Sequence, residues 1–212
     1  MGKKIDRTLV TISIAFFLLA GIFIVKYTPT KTQFIDTEGQ PIIGSHAASV
    51  QVVIFEDLNC VWCAHFSREG YPKLKEEYID TGKVQYSIIL LAFLPGSKAK
   101  ANAALEINRQ NPQLFFPFVE EVYKGQIPGE ESSDKSDFFN DIVAKVPGIN
   151  EQRILESMKM GRYNNKLKEN LDLAKKVMTT QFGTPTIYIN GKRIEELDYD
   201  SVKEHIEKAL HD

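Results

Sequence analysis

The sequence is poor in cysteine, tryptophan and histidine, and it has no surplus of positive charge. Its 212 residues include two cysteines, one tryptophan and four histidines. Two cysteines are too few for a scaffold held by several disulfides, or for a zinc site made of cysteine alone. The 26 Lys and Arg residues are balanced by 28 Asp and Glu residues, so we expect no nucleic-acid partner. Hydrophobic residues make up 43% of the chain and charged residues 25%, a balance typical of a globular protein. A length of 212 residues fits one domain, or one domain with an appendage.

One long apolar run lies at the N-terminus. Lys3, Lys4 and Arg7 precede an uncharged stretch from Thr8 to Val25. A basic start followed by an apolar run is typical of an export signal, and about 18 residues is also near the lower length for a membrane span. Because no small-x-small cleavage site follows, we expect an uncleaved signal anchor over residues 1–27. A cleaved signal peptide is the main alternative, and a buried helix is the third.

The flanking charges predict the location of the rest of the chain. Positive residues before an apolar segment hold the N-terminus in the cytoplasm. We therefore expect the domain in the bacterial cell envelope, periplasmic or extracellular, attached to the membrane through its N-terminal segment. Disulfides persist in that compartment.

The first half of the exported part predicts a parallel pair of strands. Residues 28–49 are polar and contain several turn residues, which indicates a linker. The β-branched runs at 50–55 and 84–91 predict buried strands. We expect one helix between them, from about Cys60 to about Tyr78, kinked by Pro72. Strand, helix and strand in this order form a βαβ unit.

The second half predicts a hairpin and a final helix. Residues 184–189 read as a strand, and Asn190-Gly191 is typical of a type I′ turn. A helix capped by Asp198 or Asp200 follows. Helical patterns occupy the stretch between the two halves. The expected organisation is an α/β domain made of residues 50–96 and 179–212, with a helical insert at 97–178.

The two cysteines lie three residues apart, in Cys60-Val61-Trp62-Cys63, between a predicted strand and a predicted helix. A thiol at a helix N-terminus faces unpaired N–H groups and the positive end of the helix dipole, which favour the thiolate. Cys63 lies one turn further on the same face, where it can attack a mixed disulfide formed at Cys60. This pattern predicts a redox-active disulfide.

Other functions of the cysteine pair have weaker support in the sequence. A metal site of Cys60, Cys63 and His65 lacks a fourth ligand, because no second Cys or His cluster exists. Haem attachment needs a histidine at position 64, which is Ala64. A purely structural disulfide is the remaining alternative, although so short a loop constrains little. No metal or organic cofactor is implied.

Over about residues 42–211 the chain resembles the DsbA-like branch of the thioredoxin superfamily, and within it the Gram-positive, BdbD-style sequence pattern. The resemblance rests on VVIFEDLNCVWC, Pro72, the inserted helices, and Gly183-Thr184-Pro185-Thr186 before IYING. It implies a thioredoxin fold, with βαβ and ββα halves around a mixed sheet and an inserted helical domain. It also implies that Pro185 is a cis proline packed against the cysteines.

The resemblance implies partners as well. The expected substrates are unfolded or partly folded exported proteins, and a membrane redox partner of unidentified kind is expected. Thr184 and Pro185 would shape the peptide-binding edge, and an exposed Trp62 would offer an apolar platform beside Cys60. Too few residues precede the first strand for the dimerisation domain of isomerase relatives, so a monomer is expected.

The chain departs from this family at two places. The family often has a buried carboxylate six residues before the first cysteine, where this chain has Ile54. Glu56 lies on the same strand face and is either a substitute or a solvated loop acid. Val61-Trp62 replaces the Pro-His of strongly oxidising members, which predicts an intermediate redox potential. An envelope reductase or isomerase, and an anchored binding or chaperone module with a structural disulfide, are the alternative functions.

Overall fold

The computed structural model describes residues 32–126, 142 and 148–212. In these ranges one mixed sheet has the order β1-β3-β2-β4-β5. β2 is central, parallel to β3 and antiparallel to β4. This order confirms the predicted βαβ and ββα halves. The strands are β1 (Ile42–Gly44), β2 (Val50–Asp57), β3 (Val84–Leu91), β4 (Thr186–Ile189) and β5 (Lys192–Ile194).

Helices cover both faces of the sheet and fill the insert. A π-helical turn covers Lys75–Ile79, and a 3-10 turn covers Pro112–Leu114. Part of the predicted helical insert, residues 127–141 and 143–147, lies outside the described residues; Ile142 between them is helical and buried. The helices are α1 (Val61–Glu69), α2 (Tyr71–Leu74), α3 (Ser97–Gln110), α4 (Phe115–Lys124), α5 (Glu151–Met160), α6 (Asn164–Val177) and α7 (Tyr199–His211).

The helix expected to run from Cys60 to Tyr78 is interrupted at Gly70 rather than kinked at Pro72. α1 ends at Glu69, and α2 begins at Tyr71. A Cβ at Gly70 would lie 2.7 Å from the ring of Phe66, so the close approach requires glycine. Pro72 stands in the first turn of α2, where its missing N–H leaves no bond unmade. The prediction that Pro72 kinks a continuous helix was therefore wrong.

The stretch predicted as a linker contributes to the sheet. Ile42–Gly44 forms the edge strand β1, antiparallel to β3. Ile35 is buried in the core, and the Gln40 side chain donates a 2.7 Å hydrogen bond to Asn170. The expected linker over residues 28–49 is thus too long, because residues 32–49 belong to the same compact unit as the sheet. A three-residue strand between turn residues is too short to show a period of two.

β2 is buried on both faces and is longer than predicted. Val52 and Ile54 belong to the larger core with α1, α4 and α7, whereas Val53 and Phe55 pack on the opposite face with residues of α6. The strand continues through Glu56 and Asp57, two residues beyond the expected end. Since side chains alternate along a strand, Glu56 lies on the face of Ile54, toward the larger core.

A buried carboxylate links the inserted helices. Glu106 on α3 has no exposed side-chain surface and accepts a 2.6 Å hydrogen bond from Arg109. It also accepts a 2.7 Å bond from the Tyr163 hydroxyl and forms an ion pair with Arg153 on α5. Burial by itself would raise the Glu106 pKa, but these donors outweigh it and hold the pKa at about 2. The charge therefore joins α3, α5 and the start of α6 at neutral pH.

Within the described ranges, no helix combines the length and the apolarity that a bilayer span needs. The apolar run of residues 8–25, predicted as a signal anchor, lies outside those ranges.

Candidate active site

Cys60 caps the N-terminus of α1, immediately after the turn that follows β2. The backbone N–H of Cys63 donates to Cys60 Sγ at 3.4 Å, and Cys60 N donates to the Asp57 carbonyl at 2.8 Å. Cys60 is 7% exposed, whereas Cys63 is fully buried one turn inside the helix. The strand, the turn and the cap together give the two thiols different surroundings on one rigid element.

The environment of Cys60 favours its thiolate. Hydrogen bonds lower the Cys60 pKa to about 6, although burial opposes this shift. The main donor is the Cys63 thiol. Smaller contributions come from the Thr184 side chain and from the backbone N–H groups of Cys63 and Trp62. A free thiol has a pKa of about 8.5. Cys60 is therefore largely ionised at neutral pH in the dithiol form.

Cys63 is held as a neutral thiol. Burial is the main reason that its pKa lies well above the ordinary value; its bond to Cys60 and the charges of Glu56 and Cys60 add to this effect. The two thiols therefore have opposite preferences, one for the thiolate and one for the thiol. This asymmetry suits Cys60 to nucleophilic attack from solvent and Cys63 to release and resolution inside the protein.

Glu56 is a buried acid beside this pair, not a solvated loop residue. It is 2% exposed at the end of β2. Burial raises the Glu56 pKa to about 8, and the charge of Cys60 raises it further, whereas a hydrogen bond from Tyr123 lowers it. The Tyr123 hydroxyl donates to Glu56 Oε2 at 3.2 Å and lies 3.3 Å from the Asp57 carbonyl oxygen. The structure thus favours the first of the two sequence alternatives for Glu56.

Tyr123 is a site residue that sequence reasoning missed. It lies near the end of α4 and is fully buried. Arg68 on α1 donates to its backbone carbonyl at 3.0 Å, which joins α4 to the helix that begins at Cys60. In the sequence Tyr123 belongs to an apolar helical stripe, and nothing in the stripe indicates that its hydroxyl meets a carboxylate 67 residues away.

Asp57 is a second missed residue, and it fixes the loop beside the cysteines. One carboxylate oxygen accepts from Asn59 N at 2.9 Å, in the turn that leads to Cys60. The other accepts from Phe93 N at 3.0 Å, Leu94 N at 3.1 Å and Ser97 Oγ at 3.1 Å. Four donors satisfy a fully buried carboxyl group, as a buried polar group requires. The only sequence signal was its place in VVIFEDLNCVWC, the stretch that carries part of the family resemblance.

The structure brings Thr184 and Pro185 to Cys60. The Thr184–Pro185 peptide bond is cis, as the resemblance implied. Cys60 Sγ lies 3.2 Å from the Thr184 carbonyl oxygen, to which it donates a hydrogen bond when protonated. Thr184 and Pro185 line a groove of about 400 Å³. The segment before β4 thus forms one wall of the site.

Trp62 forms part of the other wall. It also lines the groove, is 70% exposed and makes an edge-to-face contact with His65, their ring centroids 6.1 Å apart. The ring is exposed, as the sequence predicted; its role as an apolar platform for substrate stays a prediction. Phe93 and Phe182, which the sequence did not single out, form a second partly exposed aromatic pair 5.3 Å apart. Among the described residues, no three His, Cys, Asp or Glu side chains are grouped to hold a metal ion.

Comparison with known proteins places this geometry among thioredoxin-like proteins. The thioredoxin family model matches residues 36–208. The chain is 33% identical over 175 residues to disulfide bond formation protein D of Bacillus subtilis (strain 168), covering 82% of this chain and 78% of that protein. It is 30% identical over 215 residues to the probable disulfide bond formation protein D of Bacillus anthracis, covering 99% and 98%. The crystal structure of oxidised BdbD from Bacillus subtilis is similar, with a TM-score of 0.79 and 30% identity over 87% of this chain and all of that chain.

Proposed function

The chain belongs to the thioredoxin family, in its DsbA-like branch, and on that premise we propose that it is an exported enzyme that exchanges its Cys60–Cys63 disulfide with protein substrates. Its reaction class is thiol-disulfide exchange, and it is a thiol-disulfide oxidoreductase. The observation that carries the proposal is the asymmetric pair: a thiolate-favouring Cys60 beside an open groove and a buried, neutral Cys63.

The oxidation of a substrate dithiol proceeds in two exchanges. A substrate thiolate attacks Cys60 Sγ, the Cys60–Cys63 bond breaks, and its electron pair goes to Cys63 Sγ, which takes a proton. The second substrate thiol, once deprotonated, attacks the substrate sulfur of the mixed disulfide, and Cys60 leaves as a thiolate. The substrate becomes a disulfide and the enzyme a dithiol. The low pKa of Cys60 makes it a good leaving group in this last step.

Glu56 is the group that exchanges a proton with Cys63. It is buried, and its charge raises the Cys63 pKa, so the two groups are electrostatically coupled. A carboxyl with a pKa of about 8 holds a proton at neutral pH and can release it when Cys63 becomes a thiolate. In the reverse direction the carboxylate accepts the proton of Cys63. Glu56 therefore takes the role of the acid that Ile54 cannot fill.

Thr184, Pro185 and Trp62 bind the substrate. They surround a groove that opens beside the reactive sulfur, and the groove combines the exposed indole with polar groups such as Arg193. An unfolded segment that presents a cysteine to Cys60 would lie along this groove. Aromatic side chains of this kind supply contact area with little loss of conformational freedom.

The redox potential is the measurement that tests this function. We expect a value between about −270 and −120 mV, because Cys60 keeps the helix terminus but has no histidine inside the motif. Equilibration with glutathione gives the potential, and thiolate absorbance against pH gives the Cys60 pKa, expected at about 6. If the potential is about −120 mV and the Cys60 pKa is about 3.5, the expectation of an intermediate redox potential is wrong and the protein is a dedicated oxidase. A disulfide that no glutathione buffer reduces identifies an inert structural bridge instead.

Export and anchoring are tested on intact cells. If the apolar run at residues 8–25 anchors the chain with its domain outside, a membrane-impermeant maleimide labels reduced Cys60 on intact cells. The protein then stays in the membrane fraction, and its intact mass includes residues 1–27. A mature chain that begins near Tyr27 shows cleavage by a signal peptidase. Labelling only after lysis rejects export.

A further inference from the structure

Asp57 is the last residue of β2, and its backbone contacts both cysteines. Its carbonyl oxygen accepts a 2.8 Å hydrogen bond from the Cys60 N–H. Burial raises the Cys63 pKa, and the Asp57 N–H opposes part of that rise by a hydrogen bond to the sulfur. A shift of the backbone at residue 57 would therefore alter the surroundings of both thiols.

The Asp57 side chain fixes this backbone through four hydrogen bonds. Oδ1 accepts from the Asn59 N–H at 2.9 Å, within the turn that precedes α1. Oδ2 accepts from the N–H groups of Phe93 and Leu94, at 3.0 and 3.1 Å, just after β3. It also accepts from Ser97 Oγ at 3.1 Å, at the start of α3. The carboxylate thus joins the turn before α1 to the segment between β3 and α3.

The donors around this side chain match a carboxylate and not an amide. Three of the four are backbone N–H groups, which donate and cannot accept. A carboxamide that kept its oxygen on the Asn59 N–H would turn its own NH₂ group toward the N–H groups of Phe93 and Leu94. Those donors would then be unpaired beside a fully buried side chain. Asp57→Asn therefore removes hydrogen bonds as well as charge, although it keeps the shape of the side chain.

The segment that Asp57 holds also contacts the wall on the other side of Cys60. Phe93 packs against Phe182, with the ring centroids 5.3 Å apart. Phe182 lies two residues before Thr184, whose carbonyl oxygen is 3.2 Å from Cys60 Sγ. One carboxylate is therefore connected to Cys60 from two directions, through the turn before α1 and through the segment before β4.

We propose that Asp57 is a positioning residue of the exchange reaction: its carboxylate fixes the backbone that holds both cysteines and thereby sets how strongly the disulfide oxidises. The inference rests on the proposed function. The four bonds of the side chain go to the turn and to the segment after β3, so Asp57 acts through Cys60 and not on the substrate. The groups that stabilise the Cys60 thiolate include N–H groups of α1 and the Thr184 side chain. Both reach the sulfur only while the turn and the wall keep their places.

Positioning and direct electrostatics predict opposite shifts of the Cys60 pKa. If Asp57 acted through its negative charge, removal of that charge would favour the nearby thiolate and lower the Cys60 pKa. Loss of positioning instead weakens the hydrogen bonds that hold this pKa at about 6, so the pKa rises. The sign of the shift in Asp57→Asn therefore separates the two effects.

The test measures the Cys60 pKa, by thiolate absorbance against pH, and the equilibrium of the protein with glutathione at about pH 8. For Asp57→Asn we expect the Cys60 pKa to rise by about 0.5–1 unit. The reduced protein then loses part of its thiolate stabilisation. The equilibrium constant for its oxidation by glutathione disulfide should increase about three- to tenfold, because one pKa unit corresponds to about a factor of ten. Urea unfolding of the same samples gives their stability.

Asp36→Asn is the matched control. Asp36 also accepts the N–H two residues further along, from Glu38 at 2.9 Å, but it is exposed. This variant should keep the wild-type Cys60 pKa and the wild-type equilibrium. Ser97→Ala removes one of the four donors and leaves the carboxylate in place. It should shift both quantities in the same direction as Asp57→Asn but by less, and it serves as the test if Asp57→Asn does not fold.

Three outcomes reject the positioning role. A lower Cys60 pKa in Asp57→Asn shows that the residue acts through its charge. A less stable Asp57→Asn with the wild-type pKa and equilibrium shows a structural role alone. If Asp57→Asn does not fold, an unchanged pKa and equilibrium in Ser97→Ala have the same meaning. In each case a wild-type disulfide that glutathione reduces leaves the proposed function standing, whereas a wild-type disulfide that no glutathione buffer reduces rejects that function itself.

Discussion

Cys63→Ala is expected to accumulate mixed disulfides between Cys60 and substrate proteins, whereas Cys60→Ala accumulates none. Cys60 is the partly accessible thiolate at the helix N-terminus, and Cys63 is fully buried. An intramolecular group can act at an effective concentration of about 10⁵ M or more. Without Cys63 the protein reacts only by attack of Cys60 on a substrate disulfide, and in that reducing direction it is Cys63 that normally attacks the resulting mixed disulfide. Millimolar external thiol cannot match this intramolecular step, so the complex accumulates and turnover falls by several orders of magnitude. Non-reducing gels and mass spectrometry of the trapped species measure the result.

The reciprocal variant is the control for this experiment. Cys60→Ala keeps one thiol in the protein, but that thiol has no solvent access and a pKa well above the ordinary value because of burial. Equal trapping by the two variants would contradict the assignment of Cys60 as the attacking thiol. It would show that burial does not distinguish the two thiols in solution.

Glu56→Gln is expected to stabilise the reduced protein at pH 7 by about 3 kcal/mol. The folded-state pKa of Glu56 is raised, because of burial, from 4.5 to about 8. Between these values the folded protein binds a proton that the unfolded chain has released, so the free energy of unfolding falls as the pH rises. Glutamine stays neutral and avoids this loss. The two proteins should be equally stable below about pH 4.5, and their difference should increase up to about pH 8.

Urea unfolding of reduced wild-type and variant protein at several pH values measures the difference. Cys60 titrates in both proteins, so its own contribution cancels to first order in the comparison. Glu121→Gln removes an exposed carboxylate of the same kind, and its effect should stay within about 0.5 kcal/mol. A Glu56→Gln difference that does not change with pH would show that Glu56 is not a buried, protonated acid.

The elements that depend on short stretches of sequence were predicted well. The hairpin turn at Asn190-Gly191 is present, with both residues at positive φ, because few residues other than Asn and Gly adopt that backbone conformation. Asp198 caps α7 as expected, and Asn150 caps α5 with the same kind of side chain, each accepting a backbone N–H bond. In all three cases the determining interaction lies within about four residues, so the local sequence contains it.

The elements that depend on packing were predicted less well. Gly70 rather than Pro72 interrupts the first helical stretch, because the ring of Phe66 occupies the place of a Cβ. β1 is held by its pairing with β3, about forty residues further along the chain. The pairing of β1 depends on a strand far along the chain. The break at Gly70 depends on where the Phe66 ring packs, four residues away, which the sequence does not specify.

The sequence by itself determined the chemistry of the cysteine pair. Spacing, a preceding strand and a following helix place both thiols on one element, with Cys60 at its positive end. Only the tertiary structure decided whether Glu56 is buried or solvated. The sequence left Glu56 between a solvated loop and a buried strand end. In the structure Glu56 is buried, and α4 presents the Tyr123 hydroxyl to it. The physical reason is that the pKa of a carboxyl group is set by burial and by donors that approach from distant parts of the chain.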